Sequence, residues 1–100
     1  MEDIEQKIVP AMAALLESLV GMGLEPPFYF AVIASNGYSL TGHLNWNEQM
    51  VLQPTFTAEV QADKRGLQLP INVVITHSTG EAARLLIDTT GSLSPPQLLH

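Results

Sequence analysis

The chain has 100 residues, 46% of them hydrophobic and 14% charged, with ten acidic against four basic residues and a formal net charge of −6. That length and apolar content suffice for one modest core and exclude a chain disordered by composition. The negative charge and the scattered Lys and Arg argue against a nucleic-acid partner, and the lack of cysteine excludes disulfides, thiolate metal sites and a cysteine nucleophile.

Residues 1–24 read as a helix. Ile4, Ile8, Met12, Leu15, Leu19 and Met22 recur at spacings of three and four, and Leu16 and Val20 widen the stripe. Glu2, Asp3 and Glu5 lie where the helix dipole favours anions. Pro10 either kinks this helix or marks the first turn of a shorter one. Gly21 and Gly23 weaken its end and Pro26-Pro27 stop it. The acidic start Met1–Asp3 is unlike the basic start of a secretory leader. No run approaches the roughly 18 apolar residues that span a bilayer. The expectation is a cytoplasmic protein with no membrane partner.

The segments Phe28–Ser35 and Tyr38–Trp46 flank Asn36-Gly37, the signature of a two-residue hairpin turn. That turn sets Ile33 opposite Leu40, Ala31 opposite Gly42 and Tyr29 opposite Leu44, one apolar face continuing to Trp46. The other face then carries Phe28, Phe30 and Val32 beside Thr41, His43 and Asn45. From Leu52 to Ala62 the alternation is regular, and a turn at Asp63-Lys64-Arg65-Gly66 pairs Phe56 with Val73, Ala58 with Ile71 and Val60 with Leu69. Pro54 and Pro70 cannot donate to a ladder, so each belongs at an edge, a strand end or a bulge.

Ser78-Thr79-Gly80 as a three-residue turn places Ala83, Leu85 and Ile87 opposite Ile75, Val73 and Ile71. This favours a strand over residues 81–90, although Ser78-x-x-Glu81 also has capping-box spacing and Glu81–Leu86 has helix propensity. Ser92–His100, with Pro95-Pro96, reads as a loose tail. The expected fold is therefore α+β: an N-terminal amphipathic helix packed on one face of a four- to five-stranded antiparallel meander sheet. The domain spans residues 1–91 and the tail 92–100. Leu15, Leu19, Ile33, Leu44, Phe56, Val60, Ile71 and Val73 are the expected core.

No pattern of reacting residues emerges. His43, His77 and His100 lack the local partners of a metal site. Thr76 and Ser78 flank His77, but neighbours on a strand point to opposite faces. No G-x-S-x-G elbow or phosphate-cradling glycine loop occurs. Glu48, Glu59 and Asp88 are expected as solvated charges. No catalytic residue, metal ligand or cofactor is assigned. The aromatic residues are concentrated in the first hairpin, and an apolar patch rimmed by polar groups commonly marks association. The expected interaction surface is Phe28, Phe30 and Val32 with Thr41, His43 and Asn45.

A leading helix followed by an antiparallel meander resembles, in element order alone, many small α+β modules. Secretion chaperones, also small and acidic, are among them, although the second helix between their strands has no counterpart here. The functional expectation is a non-enzymatic protein-interaction module, a homodimer or an adaptor or chaperone-like protein with a protein partner. The alternative is a small-molecule-binding domain or minor enzyme with a pocket between helix and sheet, where Tyr29, Trp46 and His77 converge.

Overall fold

The computed structural model describes residues 5–60 and 66–99; the side chains of residues 5–7 and 52 stand outside that description. Helix α1 (Glu5–Val20) precedes strands β1 (Phe28–Ala34), β2 (Ser39–Trp46), β3 (Leu52–Val60), β4 (Ile71–His77), β5 (Ala82–Ile87) and β6 (Gln97–Leu99). All six form one antiparallel sheet in the order β3-β2-β1-β4-β5-β6. The α+β class is as expected, with six strands instead of four or five. The sheet consists of two three-stranded meanders, joined where β4 pairs with β1.

The helix runs through Pro10, whose ring is exposed. It ends in a Schellman motif: Leu24 N–H donates to Leu19 O at 3.4 Å and Gly23 N–H to Val20 O at 2.9 Å, with Gly23 at φ 88°. The turn folds Leu24 back against the core.

Four connections share one loop geometry of three residues. In each, the third loop residue has positive φ and donates its N–H to the carbonyl of the residue before the loop. The bonds are Gly37 to Ala34 (3.1 Å), Met50 to Asn47 (3.0 Å), Gly80 to His77 (3.0 Å) and Gly91 to Asp88 (2.9 Å). The φ angles are 85°, 60°, 101° and 84°. The geometry belongs to a turn followed by a left-handed residue. Glycine fills three of these positions at no steric cost, and Met50 fills the fourth.

This loop corrects the first hairpin. Ser35-Asn36-Gly37 is a three-residue connection, so Phe28 faces Leu44, Phe30 faces Gly42 and Val32 faces Leu40. Against a two-residue turn the register moves by one, and every β1 side chain changes face. Phe28, Phe30, Val32 and Ala34 are buried, whereas Ile33 is 46% exposed. The β4–β5 hairpin has the expected loop and register: Ile71 opposite Ile87, Val73 opposite Leu85, Ile75 opposite Ala83. Residues 82–87 are strand.

The expected pairing of β3 with β4 is replaced by β4 with β1, with Val73 opposite Val32 and Ile75 opposite Phe30. The physical reason is cover. Helix α1 lies over β4 and β5, and its Ile8, Ala11, Met12, Leu15 and Leu19 form one cluster with the inward rows of β1, β4 and β5. The row Ile71, Val73, Ile75 is fully buried, which the sheet centre provides and an outer strand beyond the helix does not. Of the expected turn at Asp63–Gly66, residues 63–65 lie outside the described residues, as does the helix start at residues 1–4; Gly66 has φ 74°. Phe56 and Val60, expected in the core, are 60% and 57% exposed, while Leu15, Leu19, Leu44, Ile71 and Val73 are buried.

The segment expected as a loose tail doubles back along β5. Leu93 bridges Ile87, and β6 sets Leu98 opposite Ala83 and Leu99 opposite Ala82.

Gly80→Ala and Met50→Ala separate the conformational cost of these loops from packing. A Cβ at Gly80 meets nothing within 4 Å, so its cost is that of the left-handed backbone, about 1 kcal/mol. Met50 already bears that cost, so Met50→Ala is expected to change stability by less than about 0.5 kcal/mol. Urea unfolding of the two variants checks the contrast.

Candidate interaction surface

An α-helix is about 10 Å across and strands lie about 4.8 Å apart, so one helix shields roughly two or three strands of six. With α1 over β4 and β5 and the core continuing to β1, the β2–β3 half of that same side has no layer above it among the described residues. By register the residues on this side are Leu40, Gly42, Leu44 and Trp46 on β2, with Pro54, Phe56 and, beyond the bulge, Glu59 on β3. Leu44 is buried, but Trp46 is 44% exposed.

Gly42 is the hinge of this half. A Cβ there would lie 2.6 Å from Phe30 Cζ and would overlap the Thr55 carbonyl. The absent side chain lets the Phe30 ring lie over β2 and meet Phe56 edge-on, with centroids 5.4 Å apart at 86°. Beside Gly42 the β2–β3 register shifts: Gly42 faces Phe56, whereas Thr41 faces Ala58. Thr57 is the extra residue, and its hydroxyl donates to Thr41 O at 3.3 Å. The bulge reverses the alternation beyond it, so Val60 stands opposite Ser39 on the outer face while Phe56 stays on the helix side.

The β2–β3 turn carries two more exposed apolar side chains. Asn47 Oδ1 accepts from the N–H groups of Gln49 (2.9 Å) and Val51 (3.0 Å), holding the loop with Met50 and Val51 exposed. Glu48 and Gln49 are the polar neighbours.

The six residues expected to form one surface divide between two faces. Phe28, Phe30 and Val32 lie inward in the core and are at most 3% exposed. They cannot line an open patch. Thr41, His43 and Asn45 lie outward, with His43 opposite Tyr29 and Thr41 opposite Ala31. Tyr29 does not converge with Trp46 and His77 as expected: it faces outward, while the Trp46 and His77 rows face the helix side.

The polar clusters are structural. His77 Nε2 is 2.7 Å from the Glu25 carbonyl, to which it donates, and Nδ1 is 2.9 Å from Thr79 Oγ1. The Thr79 hydroxyl also donates to Glu81 Oε2. The ring lies 5.4 Å from that of Phe28. These bonds tie the α1–β1 connection to the β4–β5 turn. Asp88 Oδ1 accepts from Thr90 Oγ1 (2.6 Å) and from the N–H groups of Thr90 (2.9 Å) and Ser92 (3.0 Å). The Thr90 hydroxyl, then the Ser92 N–H, lower its pKa below the usual carboxylate value. Among the described residues no polar or charged side chain is buried, and no group of three or more His, Asp or Glu is placed to hold a metal. Among the described residues no helix is long and apolar enough to cross a membrane.

Comparison with known protein families, with curated proteins and with solved structures finds no match.

Truncations distinguish the core from the patch. Phe28→Ala removes a fully buried ring and is expected to cost about 3–5 kcal/mol. Phe56→Ala gives up half-solvated area and one ring contact, at about 1 kcal/mol or a little more. Gly42→Ala is expected to be the worse of the two β2–β3 changes, about 1–3 kcal/mol, because Phe30 and Thr55 must move. Denaturant midpoints give the ranking.

Proposed function

We propose that this chain is a non-enzymatic protein-interaction module, an adaptor or chaperone-like protein, that homodimerises through the uncovered β2–β3 half of the helix side of its sheet. The observation that carries this reading is the position of Phe56 and Trp46, large aromatic side chains left substantially in water next to the core. Contiguous apolar surface of this kind marks association in soluble proteins, and aromatic residues are enriched at the centres of interfaces. A second copy covers the patch by applying it twice about a two-fold axis. Glu59, opposite Leu40, gives the patch a charged margin on the same side.

The net charge of −6 shapes this association. Two copies repel each other, and salt screens repulsion between exposed charges. Dimerisation therefore strengthens with added salt, the opposite of an interface built on ion pairs. A cytoplasmic location and the absence of nucleic-acid and membrane partners belong to the same proposal and rest on the sequence expectation.

Size-exclusion chromatography with light scattering tests it on the wild type and Phe56→Asp. The wild type is expected at twice the chain mass, more so at high salt. Phe56→Asp is expected at the chain mass with an unchanged circular dichroism spectrum, because an unpaired carboxylate is costly in an interface and tolerated in water. A monomeric wild type, or a variant that stays dimeric, overturns the reading.

A further inference from the structure

The second feature lies at the opposite edge of the sheet and is independent of the β2–β3 patch. After the Thr89-Thr90-Gly91 loop the chain returns beside β5. Ser94 N–H donates to Leu86 O (2.8 Å), and Ser94 Oγ accepts from Leu86 N–H (2.8 Å). Further along, Gln97 pairs with Arg84 in the β5–β6 ladder. Between these two attachments Pro95 and Pro96 supply no N–H to the ladder. The strap and β5 here border an open groove of about 460 Å³ lined by the exposed Asn72, Arg84, Leu86, Pro95, Pro96 and Gln97. That volume is in the range of small-molecule sites.

Its chemistry is specific. Arg84 is the one Lys or Arg with a described side chain. Its Nε donates to Gln97 Oε1 at 3.3 Å, which orients the guanidinium and uses one of its five N–H donors. No carboxylate pairs with it among the described residues. The next acid along the chain, Asp88 just after β5, is engaged by Thr90 and Ser92 in its own loop. Leu86 and the two proline rings form apolar walls, and the Asn72 amide adds a polar group. A guanidinium fork matches a planar carboxylate with two parallel hydrogen bonds.

We infer that the open groove between β5 and the Ser94–Gln97 strap is a binding site for a small organic carboxylate with an apolar body, the carboxylate held by Arg84 and the body by Leu86, Pro95 and Pro96. The rest of an acidic surface repels such an anion, so recognition depends on this one guanidinium.

Benzoate is the probe and benzamide its uncharged control, followed by amide chemical shifts of the full chain. Benzoate is expected to produce saturable shifts centred on Asn72, Arg84, Leu86 and Gln97, with benzamide producing none that saturate. Arg84→Gln, an exposed substitution that preserves the fold, is expected to weaken benzoate roughly tenfold or more. Three results overturn the inference: shifts that stay linear in benzoate, equal affinity for benzamide, or undiminished binding by Arg84→Gln. None of these depends on the oligomeric state, so failure here is separate from failure of the dimer.

Discussion

The rest of the structure depends on the length of one loop. A strand alternates its side chains with a period of two, so the number of residues between β1 and β2 decides which row of β1 enters the core. With Ser35-Asn36-Gly37 as a three-residue connection, Phe28, Phe30 and Val32 turn inward. The loop is held by more than its own turn. The Ser35 hydroxyl donates to Gln68 O (3.1 Å) and Leu69 O (3.0 Å), and Asn36 Nδ2 donates to Gly66 O (2.7 Å). These bonds anchor the chain entering β4 to the end of the first hairpin. The same contact that sets the register thus brings β4 to the free edge of β1.

Everything beneath the helix follows from that choice. Val32 meets Val73 and Phe30 meets Ile75, the apolar rows of β4 and β5 continue the layer, and α1 closes it. One helix cannot cover six strands. Its placement over β4 and β5 leaves β3 and the Trp46 end of β2 without a covering layer among the described residues, and Phe30, reaching across Gly42, is the link between the buried and the open halves. The candidate surface is therefore a consequence of how the core is covered, with Phe56 resting on the last core ring. On the far edge the Pro95-Pro96 segment interrupts the pairing with β5 between Ser94 and β6, leaving Arg84 beside an open groove.

Legibility in the sequence varied with the redundancy of the pattern. The β4–β5 hairpin was readable because Ile71, Val73 and Ile75 alternate with Asn72 and Thr76 and the loop ends in Gly80. Periodicity and turn length agreed. The segment FYFAVIA is apolar at every position, so periodicity cannot choose its inward face, and Asn36-Gly37 suits both a two-residue and a three-residue loop. β3 alternates well enough to match either neighbour, and parity is silent on which strand edge it joins. The bulge at Thr57 leaves no compositional mark, and it alone separates the faces of Phe56 and Val60. The candidate surface therefore differs from the expected one: of the aromatic residues in the first hairpin, Phe28 and Phe30 are core, Tyr29 is exposed on the outer face and Trp46 on the helix side, and the ring beside Trp46's row is Phe56 on β3.

Because the chain contains no cysteine, single introduced thiols report the β1 register without background. The decisive measurement is the rate of modification by a thiol-specific reagent of Val32→Cys and Ile33→Cys under native conditions. The structure places Val32 at 0% and Ile33 at 46% exposure. Ile33→Cys is predicted to react at close to the rate of the unfolded chain, and Val32→Cys to be protected until the protein unfolds. The reverse pattern would contradict the register, and with it the core and the uncovered surface derived from it.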